Sequence, residues 1–218
     1  MGLPCNLVRQ THFFLTLRVS HGLTNIMKTN LSKPVRVLCI IAALLLVPAI
    51  FFPLWRIDLV APQYPEGLFM QIYSNKLGGN VEIINGLNHY IGMRELKVDD
   101  FTEFKVLPYI FAGFALLGLL VAWLNKRSLF LGFVIVFVLF CALAMVDFYH
   151  WEYQYGHELN PDAAIKVPGM AYQPPLLGKK QLLNFTAWSF PDIGGYLMMG
   201  AAVLLVAGFW IEWKKKAK

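Results

Sequence analysis

Apolar residues occur along this chain in long unbroken blocks. Four stretches, 37–55, 107–124, 129–146 and 193–211, contain no charged residue. Each has the length a helix needs to cross a bilayer core, roughly 17–25 residues. A helix also satisfies its own backbone hydrogen bonds, which the interior of a membrane demands. The pattern predicts an all-α integral membrane protein, a bundle of four transmembrane helices carrying two structured outer loops. The residual segments are 1–36, 56–106, 125–128, 147–192 and 212–218. Only four residues join the second and third stretches, so these form an antiparallel hairpin.

Composition agrees, with 57% hydrophobic and 15% charged residues. The net charge of +6 would suit nucleic acid, but its distribution points elsewhere. Segment 1–36 carries Arg9, Arg18, Lys28, Lys33 and Arg36 with no acid. The 125–128 turn holds Lys126 and Arg127, and the tail holds Lys214, Lys215, Lys216 and Lys218. With four spans, all three regions fall on one side. The positive-inside rule then places both termini in the cytoplasm and the two long loops outside, in the periplasm of a bacterium. Segment 56–106 has five basic and seven acidic residues, the contrast this orientation requires. Met27 is an alternative translation start, because MKTNLSKPVRVLC leads directly into the first stretch.

Cys5, Cys39 and Cys141 do not build a disulfide framework. Cys39 and Cys141 sit near opposite ends of their stretches and read as small buried side chains. A phosphate-binding glycine loop, a dinucleotide fingerprint, an HExxH motif and a nucleophile motif are all missing. The stretches contain no charged relay of the kind a proton-coupled transporter carries. A non-catalytic role therefore reads better than an enzyme.

The outer segments hold the unusual chemistry. In the first, LFMQIY and VEII suggest a small hairpin and INGLNHYIGMREL a short helix. The run Asn88, His89, Tyr90 and Met93 gathers amide, imidazole, phenol and thioether groups. On a helix His89 and Met93 share one face, and this pair suits copper. The plainer alternative is a loop hydrogen bond for His89 and packing for Met93. In the second segment, Asp147 and His150 lie one helical turn apart, so the acid can orient the imidazole or share a metal with it. His157 and Met170 complete a candidate ligand set, with surface exposure and packing as their alternatives. Tyr149, Trp151 and Tyr153 form either an interfacial aromatic belt or part of a partner surface with residues 88–93.

The four-stretch order, PQYPEGL at 62–68, LNHYIGM at 87–93 and YQPPLLG at 172–178 resemble NosB-like membrane proteins of nitrous-oxide reductase gene clusters. The resemblance covers about 33–216. It implies an inner-membrane accessory for the periplasmic copper enzyme that reduces nitrous oxide, or for its copper-maturation proteins. The cofactor stays open: copper suits the donor set, and haem fits less well, because no paired histidines project from opposing stretches at matched depths. Two other classes compete with it, a small-solute or metal transporter and a haem- or quinone-linked electron-transfer subunit.

Overall fold

The computed structural model describes residues 30–215. The readings of Met27 as a start, of Cys5 and of Lys216 and Lys218 lie outside the described residues. In chain order the elements are helix α1 (Lys33–Ala49), strands β1 (Trp55–Ala61), β2 (Tyr64–Ile72) and β3 (Leu77–Gly79), and helix α2 (Val81–Ile91). A 3₁₀ turn (Val98–Asp100) leads to α3 (Glu103–Leu124) and α4 (Arg127–His157). Strands β4 (Gly178–Leu182) and β5 (Phe185–Pro191) then precede α5 (Ile193–Lys215).

Helices α1, α3, α4 and α5 form the bundle. Helix α1 packs against α5 and α3, and α4 closes the ring against the same two. Its core joins Val35, Cys39 and Leu46 of α1, Phe130 and Phe137 of α4, and Leu205 of α5, all buried. Glycine sets two of the close approaches. A Cβ at Gly118 would lie 2.9 Å from that of Ala43, and one at Gly208 would lie 2.8 Å from the Phe130 ring. Gly113 of α3 and Gly132 of α4 have no such neighbours. The outside of the bundle is apolar: Leu116, Leu143 and Val203 are each about two-thirds exposed. Water would not tolerate so continuous an apolar surface, whereas lipid does.

Two expectations are corrected. Among the described residues three helices, α3, α4 and α5, are long and apolar enough to cross a membrane, not four. Helix α1 has 17 residues, about 25 Å at 1.5 Å per residue and short of the roughly 30 Å core. Beyond Ala49 the apolar run continues, but Pro53 has no N–H to extend a helix, and Trp55 already belongs to β1.

The second correction is larger: the protein is not all-α. The two outer segments jointly build one five-stranded antiparallel sheet, ordered β3-β2-β1-β5-β4. LFMQIY does form a strand, but it pairs with β1 and β3, whereas VEII opens helix α2. Strand β1 pairs along its other edge with β5, from Trp55 opposite Pro191 to Val60 opposite Thr186. One sheet face buries Ile57, Leu68, Met70, Ala187 and Ser189. Helix α2 packs on it through Ile84 and Leu87, and Phe148 of α4 joins the same cluster.

Helix α4 links the two halves. Its 31 residues exceed the roughly 20 that a bilayer core takes. The apolar run ends at Val146, so Asp147–His157 project beyond the bundle and rise beside the sheet. There Phe148 meets Trp55 edge-on at 5.4 Å between ring centroids.

At the opposite end the helix termini are tied by a buried ion pair. Arg127 Nε lies 3.4 Å from Glu212 Oε2, with both side chains almost fully buried. The Arg127 guanidinium also donates to the Glu212 carbonyl. Ser32 donates its backbone N–H and its hydroxyl to Glu212 Oε1, at 3.1 and 2.5 Å. One carboxylate thus joins the starts of α1 and α4 to the end of α5. Removing one partner strands a buried charge, which costs about 3–5 kcal/mol. Glu212→Ala should therefore lower the unfolding temperature in detergent markedly, while the double change Arg127→Met with Glu212→Leu recovers most of the loss. Single variants as stable as the parent protein would refute the tie.

Candidate partner interface

The LNHYIGM motif is positioned from the sheet outward. Strand β3 ends at Gly79 with φ +84°, and a Cβ there would overlap the Phe69 carbonyl oxygen. Only glycine fits, and the chain turns straight into α2. Asn80 fastens the turn: its N–H donates to the Phe69 carbonyl at 2.8 Å, and its Oδ1 accepts from the Phe69 N–H at 3.0 Å. Apolar residues at helical spacing, Val81, Ile84 and Leu87, then hold α2 on the sheet. The helix stops at Gly92, φ +82°, where the Met93 N–H returns to the Asn88 carbonyl at 2.9 Å.

This stop is where the two outer segments meet. The Asn160 N–H donates to the Gly92 carbonyl at 2.8 Å, and the Ile165 N–H to the Tyr90 carbonyl at 2.9 Å. A Cβ at Gly92 would lie 2.9 Å from both Ala163 Cβ and the Asn160 carbonyl oxygen. Asn85, two turns before Gly92, clamps the chain beyond the helix. Its Nδ2 donates to the Leu96 carbonyl at 3.2 Å and its Oδ1 accepts the Leu96 N–H at 2.8 Å. Two open hollows of about 390 and 430 Å³ flank this clamp and share Glu82, Asn85 and Glu95; His89 and Tyr90 line the second. The hollows are polar and open, a surface relief more than an enclosed substrate chamber.

The expected interface residues divide in two. His89 is exposed, and Tyr90, Tyr149 and Tyr153 are about half exposed. Asn88 is buried, and Trp151 turns inward onto Phe101 at 4.7 Å. Met93 is half-buried.

The expected metal ligands lie apart in their local bonding. His89 and Met93 do not share a helical face, because Gly92 ends the helix between them. Asp147 and His150 do share α4, yet the His150 Nε2 is 2.9 Å from Gln154. His157 has its Nδ1 2.9 Å from the Tyr153 carbonyl oxygen and stacks on the Tyr153 ring at 3.9 Å. Met170 sits in the loop, half-buried, with its N–H on the Val167 carbonyl. Among the described residues, no group of three or more His, Cys, Asp and Glu could hold a metal ion.

Glu152 escaped the sequence reading. It lies on the stripe Phe148, Glu152, Tyr155 and Gly156 that faces inward from the projecting part of α4. It is 6% exposed, and neither carboxylate oxygen has a hydrogen-bond partner. Burial pushes its carboxyl up to about 7, against the opposing pull of Lys180 on β4. An acid at helical spacing among aromatics was the only available signal, and it reads equally as surface.

The Asn85 clamp yields a local test. Asn85→Ala removes both partners of the Leu96 backbone, a loss on the order of 1–3 kcal/mol. Hydrogen exchange should accelerate at residues 93–98 while the bundle keeps its protection. Unchanged exchange there would show that the clamp does not hold the segment.

No family model, curated protein or solved structure matches this chain.

Proposed function

We propose that this protein is a membrane-anchored accessory subunit that presents its sheet-and-helix module to a partner protein on one side of the membrane. The observation that carries the reading is the joint construction of that module. Segments 55–101 and 158–191, separated by two bundle helices, close into one sheet and meet again at Gly92 and Asn160. Residues that are chemically unusual, His89 and Tyr90, stand exposed at that meeting point beside Ile165, itself half-exposed. Such a surface, aromatic and apolar with a polar surround, suits protein docking.

The basic residues at the opposite end support a bacterial inner-membrane placement with that end in the cytoplasm and the module in the periplasm. The partner class follows from the resemblance: a periplasmic copper redox enzyme of the nitrous-oxide reductase type, or its copper-maturation proteins. The scaffold form of this reading is favoured over metal handling, because His150 is engaged by Gln154 and His157 by the Tyr153 carbonyl. A transporter is less well supported, since the middle of the bundle is filled by Phe130, Phe133, Phe137 and Leu205.

Affinity capture in mild detergent, with the full chain as bait, tests the proposal. It should recover the copper enzyme or a maturation protein when these are co-expressed. His89→Ala with Tyr90→Ala should weaken recovery at least tenfold, about 1.4 kcal/mol, without changing membrane insertion. Asn88 is left in place because it is buried. Full recovery by the double variant would refute this surface, and recovery of neither partner by the parent protein would refute the accessory reading.

A further inference from the structure

The segment after α4 folds back over the buried carboxylate. From Leu159 the chain passes Asn160 and Ala163 at the α2 junction and returns across the end of α4. The Tyr172 N–H donates to the Gly156 carbonyl at 2.9 Å. Gln173 lies so close that a Cβ on Gly156 would overlap its backbone. Gly156 is one helical turn beyond Glu152 on the same inward face, so the Tyr172–Gln173 contact covers that face. Lys180 of β4 secures the return by donating its ammonium to the Gln173 carbonyl at 3.0 Å. The Tyr172 hydroxyl is buried with no hydrogen-bond partner, as are both oxygens of Glu152.

A buried carboxylate without partners is tolerated only in its neutral form, since ionisation there lacks both water and hydrogen bonds. Lys180 is the charged group acting on it, and it reaches from β4. Tyr172 contributes a phenol from the covering segment. From the 94–101 segment, Arg94 and Asp100 act on Tyr155, the next inward residue of the stripe. His150, two positions earlier, is exposed and bonded to Gln154.

We propose that Glu152 and Lys180 form a proton-operated latch on segment 159–177. With Glu152 protonated, the carboxyl is neutral, Lys180 stays on the Gln173 carbonyl, and the segment is closed. Ionised, the carboxylate draws the Lys180 ammonium and water, and Tyr172–Gln173 lift from Gly156. The same segment makes the Asn160 and Ile165 contacts to the LNHYIGM motif, so the latch acts on the edge of the docking surface. The latch rests on the Glu152 geometry and stands whether or not the partner reading holds.

The direction follows from linkage. Closure raises the carboxyl to about 7 from its ordinary 4.5. The extra closure is fully present below the ordinary value and is lost as pH rises through about 7. Between about pH 5 and pH 8 the open fraction should grow on the order of 50-fold.

Hydrogen exchange on the full chain in lipid nanodiscs reads this directly, as protection factors corrected for intrinsic exchange. Residues 159–177 should lose protection across that range, while the bundle cores of α3 and α5 stay constant. Glu152→Gln, which cannot ionise, should make the segment's protection independent of pH. Lys180→Met should move the midpoint upward, because the opposing positive charge is gone; a purely structural lysine would leave the midpoint in place. Infrared titration of the parent protein provides a readout without variants: a protonated carboxyl band should persist toward neutrality and vanish in step with the loss of protection. Flat protection in the parent protein, a Glu152→Gln variant with the parent's pH dependence, or no such carboxyl band would each overturn the latch.

Discussion

At the end of the bundle the chain must change from helix to strand without leaving backbone groups open. Next to a membrane, unsatisfied N–H and C=O groups are costly. The solution here is that one antiparallel pair continues as another. Helices α1 and α5 pack side by side, and they run on into β1 and β5, which pair side by side. The crossing region is closed by named bonds. The Leu54 N–H donates to the Ile72 carbonyl at 2.7 Å, the Asp192 N–H to Leu54 at 3.1 Å and the Gly194 N–H to Pro53 at 2.8 Å. The buried Ser74 hydroxyl donates to the Ile50 carbonyl at 2.7 Å. Gly194 and Gly195 are required because a Cβ on either would collide with the backbone of residues 52–54.

Once that pair is fixed, the remaining elements have little freedom. β2 must return along β1, and β4 along β5, leaving the inner sheet face to be covered. Helix α2 covers the side of β2, and the projecting part of α4 covers the centre through Phe148. The 31-residue length of α4 is thus a requirement of the sheet as much as of the bundle. At the far end, the Arg127–Glu212–Ser32 tie holds the helix termini in register. The protein is therefore braced at both ends, and α4 spans the distance between the two braces.

The bundle was legible because its signal is local. Uncharged apolar runs of bilayer length need no partner to be recognised. The first run misled because Phe51, Phe52 and Leu54 are apolar without being helical, and Pro48 and Pro53 bracket the change. The sheet was less legible for two reasons. Its central pairing joins residues as distant as Trp55 and Pro191, and its outer face carries Phe69, Trp188 and Phe190 where alternation would place polar residues. Those aromatics blur the period-two pattern. At the candidate interface, His89 and Tyr90 stood out by chemistry and are exposed. Asn88 looked equivalent but is buried, because helical phase decides burial and the helix limits were not readable. Glu152 and Lys180 are 28 positions apart by number, and nothing short of the fold brings them into electrostatic reach.

The two halves also explain why the chemistry concentrates where it does. The bundle core is filled by Phe130, Phe133 and Phe137, and the exposed His89, Tyr90 and Tyr153 stand on the outer segments. The first outer segment supplies most of the core on the sheet, with Phe148 of α4, and the second adds the buried Ala187 and Ser189 on the same face. The Gly92–Asn160 and Tyr90–Ile165 bonds supply a second seam between the two segments. A surface placed on the seam senses both segments at once. The stretch that meets Gly156 at Tyr172 is the same stretch that bonds Gly92 and Tyr90, so the end of α4 and the end of α2 are joined by one run of backbone.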